Sequence, residues 1–125
     1  MPSATYQLVL QAMIARRQVL CVYGGFARAF CPIILGHTAD RERVLAFQFA
    51  GGASSGLPPG GQWKCLDIAA MSEVELREGR WHAGRHHRRP QYCVAEVEYD
   101  VNPDSPYEPI RTVTTRRRSR PVRKR

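Results

Sequence analysis

Residues 18–36 read QVLCVYGGFARAFCPIILG, and the fold is decided there. The run from Gln18 to Tyr23 is short, apolar and strand-like. Gly24-Gly25 then interrupts it, and paired glycines accept the positive φ that tight hairpin turns require. The chain returns through RAFCPIILG as a second strand. Pro32 has no N–H to give a ladder, so it marks an edge, a bulge or a bend in that strand. The hairpin sets a phenol, Tyr23, and a guanidinium, Arg28, on either side of its turn. An arginine offers a planar fork of donors suited to phosphate or carboxylate, and a tyrosine ring can stack on a base.

Outward from the hairpin, the pattern stays short and strand-rich. Residues 4–17 before it, ATYQLVLQAMIARR, place Tyr6, Val9, Leu10, Met13 and Ile14 at helical spacing. Ser3 stands where an N-cap hydroxyl accepts from the first turn. After it, RVLAFQFAG alternates as a third strand, with Val44, Ala46 and Gln48 on one face and Leu45, Phe47 and Phe49 on the other. A Gly/Ser/Pro loop from Ala50 to Gly61 is longer than most connections in a compact domain. It lacks the G-K-[ST] ending of a phosphate-binding P-loop. WKCLDI is a fourth strand, AAM a short helical turn, and SEVELREG a fifth strand with Val74 and Leu76 inward. One helix followed by five short strands predicts a mainly β protein, built as a small five-stranded SH3/Sm-like barrel.

Beyond Gly79 the apolar pattern weakens. Residues 81–101 read as a barrel extension or one extra strand. Residues 102–125 read as a Pro-containing linker and a basic, disordered tail, because the segment has too little apolar surface to offset its ordering entropy. The expected organisation is therefore a helix over 1–17, a barrel over 18–80, the extension and the tail. Charge follows the same division. The chain of 125 residues carries net charge +8. Eight of its 19 basic residues lie from Arg111 onward, with no acidic residue among them, so residues 1–110 are electroneutral. Arg116, Arg117, Arg118, Arg120, Arg123, Lys124 and Arg125 form a polyanion-binding segment whose phosphate contacts release counterions.

Other chemistries find little footing. Cys21, Cys31, Cys65 and Cys93 are widely spaced, without a C-x-x-C, and are expected to be reduced, structural thiols. Together with the lack of a secretory signal pattern and of any apolar run near 18 residues, this predicts a cytoplasmic protein with no membrane contact. His82, His86, His87 and Cys93 lack the paired ligand spacing of a zinc site and sit among arginines, so no metal is expected. No G-x-S-x-G, H-E-x-x-H or acidic pair is present, and Asp67 stands alone in its strand, so no enzyme activity and no cofactor are expected.

The order of elements from about Ile14 to Gly79 resembles the WYL domain, an Sm/SH3-like module of bacterial transcription regulators. The resemblance is carried by IARRQVLCVYGGFARAFCPIILG, with RVLAFQF at the place of the name motif and QWKCLDI at the place of an aromatic-basic strand. The Trp-Tyr-Leu triplet is Arg43-Val44-Leu45 here, and the arginine that often follows the fourth strand is Ala70 or absent. The chain resembles a stand-alone, diverged member. The resemblance implies a ligand-sensing or nucleic-acid-binding regulatory module. Tyr23, Arg28, His37 and Lys64 are its implied site, with Trp63 beside Lys64 as a stacking surface. The expected partner is single-stranded DNA or RNA or a small anionic effector. The other class of reading is a protein-interaction barrel whose edge strand pairs with a protein partner.

Overall fold

The computed structural model describes residues 2–54, 56–82 and 91–101, and the backbone alone of 111–112. A single helix, α1 (Ala4–Ala15), starts where Ser3 Oγ accepts from the Tyr6 N–H at 3.1 Å. It stops at Arg16, which adopts a left-handed backbone (φ 55°) while Arg17 N–H donates to the Ala12 carbonyl. Tyr6, Val9, Ala12 and Met13 are its buried stripe.

Six antiparallel strands follow: β1 (Gln18–Tyr23), β2 (Phe26–Thr38), β3 (Arg41–Gly51), β4 (Gln62–Asp67), β5 (Ser72–Arg77) and β6 (Glu96–Asp100). A two-residue β7 (Arg111–Thr112) lies parallel to β6. The β1–β2 turn forms as its sequence predicts, with positive φ at both Gly24 and Gly25 and Tyr23 paired to Phe26. The sheet order is β4-β3-β2-β1-β5, and a 3-10 turn (Ile68–Ala70) joins β4 to β5.

The expected barrel is corrected at this point. Among the described residues β4 and β5 do not pair, so the sheet is an open, curled layer rather than a closed five-stranded barrel. The curl is strong enough for the Asp67 N–H at the end of β4 to donate to the Tyr23 hydroxyl of β1 at 2.9 Å, across two intervening strands. The extra strand of 81–101 is β6. It pairs with the second half of β2, from Ile34 to His37, whereas β1 pairs with the first half, up to Phe30. Pro32 sits between the two partners. A residue without an N–H is tolerated there because that edge changes hands, and the β2–β3 register shifts beside it, between Pro32 and Ile34.

Both faces of the sheet are covered. On one, α1 packs its stripe on Val19, Cys21, Phe30, Leu35, Val44, Ala46 and Leu66. On the other, Cys93 and Val94 of the segment before β6 close over Ile33, Ile34 and Leu45, with Trp63 and Trp81 at the margin. The alternation of β3 divides Val44 and Ala46 from Leu45 between these two cores, as the period of two requires. Apart from the backbone of Arg111–Thr112, the linker and basic tail lie outside the described residues. No helix among them is long and apolar enough to cross a membrane.

A second correction concerns the cysteines. Cys65 and Cys93 are joined as a disulfide, with Cα atoms 5.4 Å apart, tying β4 to the segment before β6. Cys21 and Cys31 are free and buried, in keeping with their apolar runs.

Candidate functional site

Tyr23 and Arg28 meet. The Arg28 guanidinium lies over the Tyr23 ring at 5.1 Å and over the Phe26 ring at 5.8 Å. Its Nε donates to the Tyr23 carbonyl at 3.1 Å and its Nη1 to Gln48 Oε1 at 3.2 Å. Arg28 is 9% exposed and Gln48 fully buried. Gln48 in turn donates from Nε2 to the carbonyls of Ala50 and Gly52, at 3.1 and 3.0 Å, which ties the root of the long loop to the arginine. Gln48 reaches Arg28 because β2 and β3 slip register between Ala29 and Phe30.

Among the described residues no carboxylate lies within ion-pair distance of Arg28. Burying a charge is expensive unless it is paired or well hydrogen-bonded. Two carbonyl-type acceptors and two ring faces offset part of that cost, and they fix the fork in one orientation. The Nη2 end is turned toward Gly24, where a Cβ would lie 3.5 Å from it, and beside Gly25 the space is open. The cleft of about 290 Å³ that Arg28 lines is shared with Cys21, Gly51, Glu73 and Glu75.

The remaining expected site residues divide into three places. Lys64 pairs with Ala46, and Gln62 with Gln48, so Lys64 lies on the same sheet face as Gln48, two residues further along β4. Trp63 points to the opposite face, where it meets Phe47 edge-on at 5.4 Å. His37 is nine residues beyond Arg28 on the same strand, about 30 Å of extended chain. It stacks on Tyr6 at 5.7 Å and its Nδ1 lies 3.2 Å from Glu98 Oε1. The structure therefore groups Tyr23, Arg28 and Lys64 on one face, and separates Trp63 and His37 from them. Gln48, which the sequence placed only on one face of β3 with Val44 and Ala46, belongs with the first group.

His37 belongs instead to an acidic cleft of about 860 Å³, lined by Ser3, Asp40, Arg41, Glu42, Asp67, Glu96 and Glu98. Glu98 sits where the β2–β6 register slips, between Tyr99 and Val97. It accepts a short hydrogen bond from the Tyr6 hydroxyl, and burial followed by this contact raises the Tyr6 phenol far above its ordinary range. Ser3 donates to Glu42 at 2.6 Å, and Arg41 pairs with Asp67. These contacts link α1, β2, β3 and β6 at one end of the sheet. No group of three metal-ligating side chains is gathered among the described residues. His82 stacks on Phe49 at 4.1 Å, Cys93 is bonded to Cys65, and His86 and His87 lie outside the described residues.

Burial pushes the Cys21 thiol up to about 11, against an opposing pull from Arg28. Cys31 is likewise raised to about 11 by burial, opposed by the His82 N–H. Both stay protonated in the folded chain where an unfolded thiol ionises, from an ordinary value of 9.0. Their neutral burial thus supports the fold fully below pH 9, and that support is lost as pH climbs through 11. Native protein treated with iodoacetamide at pH 8 should leave Cys21 and Cys31 unmodified, and urea midpoints should fall between pH 9 and 11. Rapid native alkylation of either thiol would contradict this.

No protein-family model, curated protein or solved structure matches the chain.

Proposed function

We propose that the chain is a non-enzymatic binding module for an anionic ligand, with nucleic-acid phosphate as the preferred class and Arg28 as its recognition fork. The observation that carries the reading is the nearly buried Arg28 guanidinium, held by Tyr23, Phe26 and Gln48 and lacking a carboxylate partner among the described residues. Such a fork is suited to a planar or tetrahedral oxyanion, and it is already oriented before a ligand arrives. Lys64 on the same face adds a second cation for a longer, phosphate-bearing chain. The segment from Arg116 to Arg125 adds sequence-independent attraction, which steers polyanions to the molecule and weakens steeply with salt. The WYL-like regulatory reading remains part of this proposal. It is supported by the leading helix, the strand order β5-β1-β2-β3-β4 and the 3-10 turn between β4 and β5.

The test is binding of a labelled single-stranded oligonucleotide to the full chain and its variants across a salt series. Arg28→Gln should weaken binding on the order of tenfold to a hundredfold, the loss of a charged hydrogen bond. Arg28→Lys should retain part of the affinity, as a point charge without the fork. Neutralising Arg116, Arg117 and Arg118 together should flatten the salt dependence while leaving the Arg28→Gln effect in place. Equal affinity for wild type and a folded Arg28→Gln variant would overturn the assignment.

A further inference from the structure

The Cys65–Cys93 bond has an asymmetric setting. Cys65 is exposed on β4, the end strand of the sheet, whereas Cys93 is buried in the second core at 6% exposure. Arg43, on the neighbouring strand, donates from Nη1 to Cys65 Sγ at 3.2 Å. Its Nε is buried and has no hydrogen-bond partner among the described residues. Asp67 faces Arg43 in the β3–β4 register, but that carboxylate pairs with Arg41. A guanidinium is thus held against a sulfur, with no carboxylate within ion-pair distance among the described residues. A disulfide sulfur is a weak acceptor. A thiolate at the same place is an anion, and a neighbouring arginine stabilises it. Arg43 fits the reduced form of Cys65 better than the oxidised one.

We propose that Cys65–Cys93 is a thiol-exchange site, reduced by a small thiol or dithiol through attack at Cys65, and that its state sets how firmly the turn before β6 is held on the sheet. The attacking thiolate forms a bond to Cys65 Sγ. The Cys65–Cys93 bond breaks, and its electron pair leaves on Cys93 Sγ, which takes a proton from solvent. A second thiol then attacks the mixed disulfide at its non-protein sulfur. Cys65 departs as a thiolate facing Arg43, and the reductant ends as its own disulfide, having given up two electrons. Attack at Cys93 is disfavoured by its burial.

The structural consequence falls on residues 91–95. Besides the disulfide, hydrogen bonds hold this turn, among them one from Gln91 Nε2 to the Val94 carbonyl at 2.8 Å. Thr38 Oγ1 donates to the Cys93 carbonyl at 2.7 Å and accepts from the Ala95 N–H at 3.0 Å, and the Val94 N–H donates to Gln91 Oε1 at 2.8 Å. Val94 covers Ile34 and Leu45 from this turn. Removing the link to β4 leaves these contacts without their covalent brace, so the turn opens more often while β6 keeps its own ladder.

The experiment uses the oxidised full chain in glutathione buffers of graded ratio, acid-quenched and mapped by mass spectrometry. The expected intermediate carries glutathione on Cys65, with Cys21 and Cys31 unmodified. Arg43→Gln should slow the second step, release of Cys65 as a thiolate from that adduct, about tenfold so that the adduct accumulates, and Arg43→Lys should restore most of the rate. Amide exchange at Val94 and Ala95 should rise at least tenfold on reduction, with that of β1 to β3 unchanged. An adduct on Cys93, equal rates in a folded Arg43→Gln variant, or reduction only at the rate of global unfolding would overturn the proposal. The site mapping is done on the unmodified chain, so it decides the point of attack even if the Arg43 variants fold poorly.

Discussion

Replacing Gly36 by valine should cost the fold about 3 kcal/mol, at the upper end of what forcing atoms into a packed site costs. Gly36 lies in the second half of β2, opposite Arg43 on β3 and Val97 on β6. A Cβ there would fall deep inside the van der Waals envelope of the Glu96 carbonyl oxygen and 2.8 Å from Val94 Cγ1. The first obstacle is backbone, so no side-chain rotation relieves it, and β6 has to move away from β2. That movement withdraws Glu98 from Tyr6 and His37, and the contact between α1 and β6 goes with it. The check is the urea midpoint of Gly36→Val beside Gly36→Ala. Alanine should show the same sign at smaller size, since the backbone clash belongs to the Cβ they share. A valine variant within 0.5 kcal/mol of wild type, as an approximate bound for an innocuous surface change, would contradict the close β2–β6 approach.

Phe30→Ala should cost more, about 4 kcal/mol. Phe30 is the largest fully buried side chain among the described residues, with no exposure, and lies between Val19 on β1 and Gln48 on β3. It belongs to the core that α1 covers. Truncation removes the transfer free energy of the ring and leaves a cavity that three strands and a helix cannot all close. A domain of this size has a total stability of roughly 5–15 kcal/mol, so the variant is left with a small margin. Phe30→Leu should lose less, because the remaining branched side chain fills part of the space. Phe30 also borders the register slip that brings Gln48 to Arg28, so ligand affinity should fall with stability in the alanine variant. Denaturation of the two variants measures the first effect, and oligonucleotide titration of whatever remains folded measures the second. Equal stabilities for wild type and Phe30→Ala would contradict the packing described here.

Much of this architecture was legible in local pattern. The paired glycines announced the β1–β2 turn, Ser3 the helix start, and the alternation in RVLAFQF the two faces of β3. Each depends on neighbours in sequence, where propensity and period act directly. The contacts that failed to show are those made by curvature. An open sheet that curls until Tyr23 of β1 touches Asp67 of β4 has the same strand pattern as a closed barrel; only the pairing of β4 with β5 separates them, and no residue signals it. Cys65 and Cys93 are 28 residues apart and meet because a turn folds back over the sheet, which spacing alone does not reveal.

The candidate site was legible in the same uneven way. Tyr23 and Arg28 flank one tight turn, so their meeting follows from the hairpin. The depth of Arg28 does not, because it depends on Gln48 arriving through a slipped register that carries no sequence mark. His37 was expected beside Arg28 only through the family resemblance, and both lie on β2. That strand is 13 residues long, and its two ends serve different clusters. Trp63 and Lys64 are adjacent in sequence and therefore point to opposite faces of a strand, which the alternation rule already implied.

The central claim is that Arg28 itself receives the anion. The most direct measurement follows the guanidinium Nε–H of Arg28, held against the Tyr23 carbonyl, by nitrogen-15 NMR while the full chain is titrated with a single-stranded oligonucleotide. The account predicts that this signal shifts along the same saturation curve as binding followed by fluorescence, and that the shift persists when Arg116, Arg117 and Arg118 are neutralised. An Arg28 signal that stays in place at saturation, while only arginines beyond Arg111 respond, would contradict it and leave Arg28 as a brace for Tyr23 and Gln48.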